Sequence, residues 1–274
     1  MRKKKPVRTV TIASGKGGVG KTNVVANLAI ALRKMGKEVM ILDADLGLSN
    51  VDILLQLAPR YNIAHVIRGE KQLGEVIVEG PYGIKVLPAS SGVQELTHLD
   101  SLQRMRLLEE FAAYDKDIDV LLIDTSAGIS ENVAFFCVAS KEIVIVTSPE
   151  PTAIADAYAL IKVLFTRYQE KEFQILVNSA RSQADAKEVY RKLAMAADRF
   201  LNVSLDYLGF LPYDKSVQDA VRAQKPFLEM FPGKAASLAI EELAMRFAQP
   251  AKDDAKGGLQ FFLGNIFEMT GESR

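Results

Sequence analysis

Short runs dominated by Val, Ile and Leu alternate along the chain with longer stretches whose apolar positions recur every three to four residues. The short runs cover 7–14, 38–42, 84–87, 120–123, 143–147, 173–177 and 205–211. The helical stretches lie near 21–35, 99–114, 130–139, 152–169, 184–201, 215–223 and 234–247. Strands that are apolar on both sides belong to a sheet covered on both faces, so the alternation predicts a doubly wound α/β fold with a mostly parallel sheet. Crossovers in such a sheet are right-handed, and ligands bind beyond the carboxyl ends of its strands. No internal repeat divides residues 1–247, which read as one body. The pattern then changes. Residues 248–258 hold Pro250, two lysines, two aspartates and Gly257-Gly258, the composition of a flexible linker. Within 259–269, Leu259, Phe262, Leu263, Ile266 and Phe267 fall at i, i+3, i+4, i+7 and i+8, which predicts a C-terminal helix with one wholly apolar face.

Composition narrows the function. The 274 residues are 49% hydrophobic and 25% charged, enough for a full core. Thirty-four basic residues balance thirty-four acidic ones, so no whole-surface attraction to nucleic acid is expected and no direct nucleic-acid partner is assigned. Cys137 is the single cysteine, which leaves no disulfide or cysteine pair for an iron–sulfur cluster and fits a reducing cytoplasm. His65 and His98 lie far apart without cysteine companions, against a zinc site. No apolar run reaches the roughly 18 residues of a membrane span, so the chain is expected to be neither exported nor transmembrane.

Chemistry enters at Gly15-Lys16-Gly17-Gly18-Val19-Gly20-Lys21-Thr22, which follows the first strand and opens the first helix. This is a complete G-x-x-x-x-G-K-[ST] phosphate loop, in which backbone N–H groups surround phosphate, Lys21 brings charge to the β and γ phosphates and Thr22 ligates Mg²⁺. Gly15, Gly17 and Gly20 also spell the G-x-G-x-x-G of dinucleotide folds, but such a loop has no use for Lys21-Thr22, and the triphosphate reading prevails. Asp124, at the tip of an apolar run, is a candidate for orienting Mg²⁺, and Asp43 and Asp45 end the second strand in the same way. Lys16 is a second lysine in the loop, and spacing alone reads it either as a solvated side chain or as a charge aimed at another subunit.

Together the loop, Asp43-Ala44-Asp45 and Asp124-Thr125-Ser126-Ala127-Gly128 resemble the MinD/ParA family of deviant-Walker P-loop ATPases along nearly the whole chain. The segments 43–52, 156–162, 198–201 and 212–217 look most like its FleN/FlhG branch, regulators of flagellar number and placement. The resemblance implies an ATP-dependent homodimer, with ATP and Mg²⁺ as ligands and slow hydrolysis. It makes Lys16 the signature lysine that reaches the partner's phosphates, Lys21 the loop lysine, Thr22 the metal ligand, Asp45 the water-positioning acid, and Asp43 and Asp124 the outer Mg²⁺ carboxylates. Asn178 and Pro212-Tyr213-Asp214 match adenine-contacting positions, and Glu150 a residue near the dimer seam. Implied partners are a FleQ-like flagellar transcription activator and the flagellar GTPase FlhF. Residues 1–6 leave no room for the activator helix through which some relatives stimulate FlhF, so that route is not expected. The apolar C-terminal face becomes a peripheral anchor on the inner face of the cytoplasmic membrane, although Glu268 and Glu272 stand where interfacial helices carry lysines. A MinD-type division-site ATPase and a ParA-type DNA-partitioning ATPase are the alternatives within the family.

Overall fold

The computed structural model describes residues 7–46, 50–89, 99–114 and 117–249. Met1–Pro6, Gly47–Ser49, His98 and the predicted C-terminal helix, with Leu259, Phe262, Leu263, Ile266 and Phe267, lie outside the described residues.

Eight strands form the sheet: β1 (Arg8–Ser14), β2 (Val39–Ala44), β3 (Val78–Glu79), β4 (Lys85–Leu87), β5 (Val120–Ala127), β6 (Glu142–Thr147), β7 (Glu172–Ala180) and β8 (Ser204–Pro212). Their spatial order is β3-β4-β2-β5-β1-β6-β7-β8, parallel throughout except for the antiparallel β3–β4 pair at one edge. The α-helices are α1 (Lys21–Lys34), α2 (Val51–Leu54), α3 (Ile63–Ile67), α4 (Leu73–Val76), α5 (Ser101–Ala113), α6 (Glu131–Ala139), α7 (Pro151–Tyr168), α8 (Gln183–Phe200), α9 (Lys215–Arg222), α10 (Phe227–Met230) and α11 (Ala235–Ala248). The seven predicted strands and seven predicted helical stretches are all present, and β3 and the four short helices α2, α3, α4 and α10 are additions.

Alternation along the strands assigns the two faces. Ile41, Leu122 and Val144 pack with Leu28 and Leu32 of α1 and with Ile240 and Phe247 of α11. Met40, Leu42, Leu121 and Ile123 face the other way, against Phe111 of α5 and Phe135 and Phe136 of α6. Farther along that face, Ile145, Ile175 and Val177 cover Leu160 and Leu164 of α7 and Leu193 of α8. β1 lies between β5 and β6, and its Thr11, fully buried, is satisfied because its hydroxyl donates to the Phe136 carbonyl at 2.8 Å.

At the opening of β1, Arg8 forms a bidentate pair with Glu142, at 2.6 and 2.8 Å. Its Nη1 also donates to the carbonyls of Arg246, Phe247 and Gln249 at 2.9–3.1 Å, and its guanidinium lies 4.7 Å from the Phe247 ring centroid. The last turn of α11, including Ala248, is thereby capped by a side chain from the first strand.

Candidate functional site

The phosphate loop joins β1 to α1 at the carboxyl rim of the sheet. Gly18 and Gly20 have φ of 77° and 90°, a left-handed conformation that a side chain resists. Gly20 is the N-cap of α1 and offers no side chain to it, so the first N–H groups of the helix are left for an anion. Gly15 is dictated by contact: a Cβ there would stand 2.1 Å from the carbonyl oxygen of Asp156 in α7.

Asp43 and Asp124 are register partners on β2 and β5, and both are buried. Asp43 accepts from the backbone N–H of Asp45 at 3.1 Å and from that of Val51 at 3.4 Å. Lys21 Nζ donates to Asp124 Oδ1 at 3.4 Å. Burial pushes the Asp124 carboxyl up from its ordinary range, the Lys21 charge and the Thr22 hydroxyl oppose this, and the neighbouring Asp45 carboxylate adds to it. Lys21, Thr22, Asp43, Asp45 and Asp124, which come from stretches up to about a hundred residues apart, thus meet at one place.

This group fits Mg²⁺. A buried carboxylate whose charge is only partly compensated, a second in register beside it and a threonine hydroxyl are hard oxygen donors. Among the described residues no three His, Cys, Asp or Glu side chains form a metal cage, and Mg²⁺ ordinarily completes its shell with water and phosphate.

Lys16 is half-buried and turned toward its own chain: Nζ pairs with the Glu150 carboxylate and donates to Thr152 Oγ1 at 2.8 Å, both at the start of α7. The sequence reading included Glu150 but not Thr152, which lies 136 residues from Lys16 and in no shared motif.

The four predicted adenine positions line one cleft beside the loop, with Asn23 and Phe227 among the other walls. Asn178 Nδ2 donates to the Val19 carbonyl at 2.7 Å, which fastens the end of β7 to the phosphate loop. Its Oδ1 accepts from the N–H of Ser179 at 2.9 Å. Asp214 caps α9, accepting from Ser216 N at 2.9 Å and Ser216 Oγ at 2.6 Å, and also from Ala236 N at 3.3 Å. The Ser216 hydroxyl holds the Asp214 carboxyl below its ordinary range; burial opposes this, and the backbone N–H groups of Ser216 and Ala236 and the Lys234 charge reinforce it. Asn23 was absent from the sequence reading, although it directly follows Lys21-Thr22. Its Oδ1 is buried, and among the described residues no group donates to it.

A glycine-rich loop between a central strand and a helix, with carboxylates at the adjoining strand tips, defines a P-loop nucleoside-triphosphate-binding protein. The comparisons agree. Residues 6–248 match ParA, described as the NUBPL iron-transfer P-loop NTPase family. The chain is 43% identical over 264 residues to the antiactivator FleN of Pseudomonas aeruginosa, covering 96% of this chain and 94% of that one. It is 32% identical over 267 residues to the flagellum site-determining protein YlxH of Helicobacter pylori, covering 96% and 90%. In structure it is similar to the MinC:MinD cell division protein complex of Aquifex aeolicus, with a TM-score of 0.71, 28% identity and coverage of 92% and 100%. It is likewise similar to MinD complexed with Mg-ADP from Pyrococcus horikoshii, with a TM-score of 0.71, 25% identity and coverage of 88% and 96%. The chain belongs to the MinD/ParA family of P-loop NTPases and is FleN-like within it. Iron transfer finds no pair of thiols within this chain: Cys137 is the one cysteine, and burial pushes its thiol far above its ordinary range.

Proposed function

We propose that the protein is an ATP-dependent dimerising switch with a slow, Mg²⁺-dependent ATPase, acting on flagellar number and placement. The observation that carries the reading is the pair of loop lysines with different surroundings, one beside the buried Asp124 and one on the outer face of the loop. Lys21 supplies charge to the β and γ phosphates within its own subunit. Lys16, released from Glu150 and Thr152, extends to the phosphates of a second copy. Asp45 holds the attacking water by accepting its hydrogen bond. Thr22, Asp43 and Asp124 would hold Mg²⁺, whose charge offsets that of the phosphates when bound. Asn178, Pro212, Tyr213 and Asp214 receive the adenine side of the nucleotide, and Glu150 faces the dimer seam.

The flagellar role is supported by the 43% identity to FleN and the 32% identity to YlxH. On this reading the ATP-bound dimer engages a FleQ-like transcription activator, the FlhF GTPase, or both. Lys16→Ala should bind ATP with parental affinity and remain monomeric in size-exclusion chromatography with light scattering. A normal ATP dimer in that variant would make Lys16 a surface lysine. MinD relatives at 29–32% identity favour a second reading, a division-site ATPase. Counting flagella and minicells of a deletion strain by electron microscopy separates the two.

Residues 259–269 are proposed to anchor the cytoplasmic protein peripherally on the inner face of the membrane. Burial of one large apolar side chain contributes about 1.5–3 kcal/mol, so one tail offset by its ordering cost binds weakly and two on a dimer bind far better. Sedimentation with anionic liposomes should show binding with ATP and little with ADP. Phe262→Glu should abolish it while leaving ATPase activity in solution intact. Binding indifferent to nucleotide contradicts the avidity argument.

A further inference from the structure

One peptide of the phosphate loop, between Val19 and Gly20, is held from outside the loop. Asn178 Nδ2 donates to the Val19 carbonyl at 2.7 Å, across 159 residues of sequence. The other end of the same amide is fixed as well, because its Oδ1 accepts from Ser179 N at 2.9 Å. Ser179 has a φ of 59°, a left-handed conformation that residues with a side chain seldom adopt, and the β7–β8 register shifts between Val177 and Ala180. Such an irregularity at a strand end re-aims a side chain, and here the side chain concerned reaches the loop. Gly20 is bare on the same account: a Cβ there would stand 2.3 Å from Asn178 Nδ2. Regular strand pairing, a relaxed serine backbone and a side chain at Gly20 are all given up around a single hydrogen bond.

The consequence falls on the other side of the peptide. The bond is trans, so its C=O and N–H point in opposite directions, and with the Val19 carbonyl turned to Asn178 the Gly20 N–H is turned away from it. Gly20 is the N-cap of α1, and its N–H joins those of the first helical turn, which have no partner inside the helix. A peptide rotated the other way would present an oxygen to the phosphates, which are themselves acceptors. We propose that Asn178 is a positioning residue of the phosphate site: by holding the Val19 carbonyl, it keeps the Gly20 N–H directed to phosphate and the carbonyl oxygen away from it. The inference rests on the reading of the loop as a nucleotide site, and it gives Asn178 a duty beyond the adenine side, since Nδ2 keeps a second hydrogen and Oδ1 a second lone pair for the base. The nucleoside cleft that Asn178 lines and the grip of the loop on phosphate thus depend on one side chain.

Val19-Gly20 is the only Val-Gly pair in the sequence, so labelling with carbonyl-¹³C valine and ¹⁵N glycine isolates the Gly20 amide in the NMR spectrum of the full chain. Pyrophosphate, which carries no base, should move this resonance downfield in the parent, as a charge-assisted hydrogen bond does. In Asn178→Ala most of that movement should be lost, and pyrophosphate affinity measured by calorimetry should fall about tenfold, with ADP falling at least as far. Asn178→Ser, whose hydroxyl ends one bond short of the amide nitrogen, should behave alike and carries the test if the alanine variant does not fold. Parental pyrophosphate affinity beside weakened ADP overturns the proposal and leaves Asn178 to the base alone. Weakened pyrophosphate binding with the Gly20 resonance still moving as in the parent also overturns it, because the amide then acts through the fold and not through this peptide. A parent that binds neither ligand refutes the phosphate-loop reading itself, and the proposal with it, whereas parental binding of both by the two variants refutes the proposal alone.

Discussion

Asp214 illustrates how one side chain serves both fold and site. Its carboxylate caps α9 through Ser216, accepts from the start of α11 at Ala236, and lines the cleft where the nucleoside is expected. Asp214→Ala removes all three acceptor roles and should cost about 0.5–2 kcal/mol in urea unfolding at neutral pH, the range for a lost N-cap. Asp214→Asn keeps an acceptor without the charge and should fall in between. The hydrogen bonds hold the Asp214 carboxyl below its ordinary range, so the folded state binds this proton less readily than the unfolded chain. The stabilisation is therefore complete above the ordinary aspartate range of about 4 and disappears as pH falls through the lowered folded value. The gap between parent and Asp214→Asn should accordingly be widest near neutrality and close in acid, and a constant gap would show that the charge is not the source.

At the scale of elements, the approach of α7 to the loop sets a sharp contrast between two glycines. A methyl at Gly15 meets the Asp156 backbone at 2.1 Å, whereas at Gly17 the nearest atom is the Ala127 Cβ at 4.0 Å and the backbone is not left-handed. Gly15→Ala must displace either the loop or α7 and should lower stability by about 1–3 kcal/mol. Gly17→Ala should melt with the parent, and equal melting of the two variants would contradict the close contact. None of this was readable from the glycine pattern, which marks both positions alike. Elements were readable where a run was long enough to show its period, as in α7 and α8, or held an unbroken apolar stretch, as in Val120–Ile123 of β5 and Ile143–Val146 of β6. The two-residue β3 and the four-residue α2, α4 and α10 contain barely one repeat of any pattern. The five-residue α3 is signalled only by its reciprocal Asn62–His65 cap. The same rule governs the site: Gly15–Thr22 and the strand-end aspartates are contiguous signals, whereas Thr152 beside Lys16 and the unpaired oxygen of Asn23 exist only once distant segments have packed.

On the scale of the whole molecule, the parallel sheet separates two rims. The candidate nucleotide-binding groups gather where β1, β2, β5 and β7 end, while Arg8 holds the close of α11 at the rim where β1 begins. β1 puts roughly 20 Å between them, at about 3.3 Å per residue. Because Arg8 reaches the Gln249 carbonyl at 3.1 Å, residues 7 and 249 are near enough to be joined by a few glycines. A circular permutant so closed, with its new ends at the exposed Asn202 between α8 and β8, should fold and bind ADP as the parent does, measured by calorimetry. The Arg8 clasp thus makes the body topologically a near-closed ring, in which cargo grafted where the ends meet stays on the side of the sheet away from the phosphates.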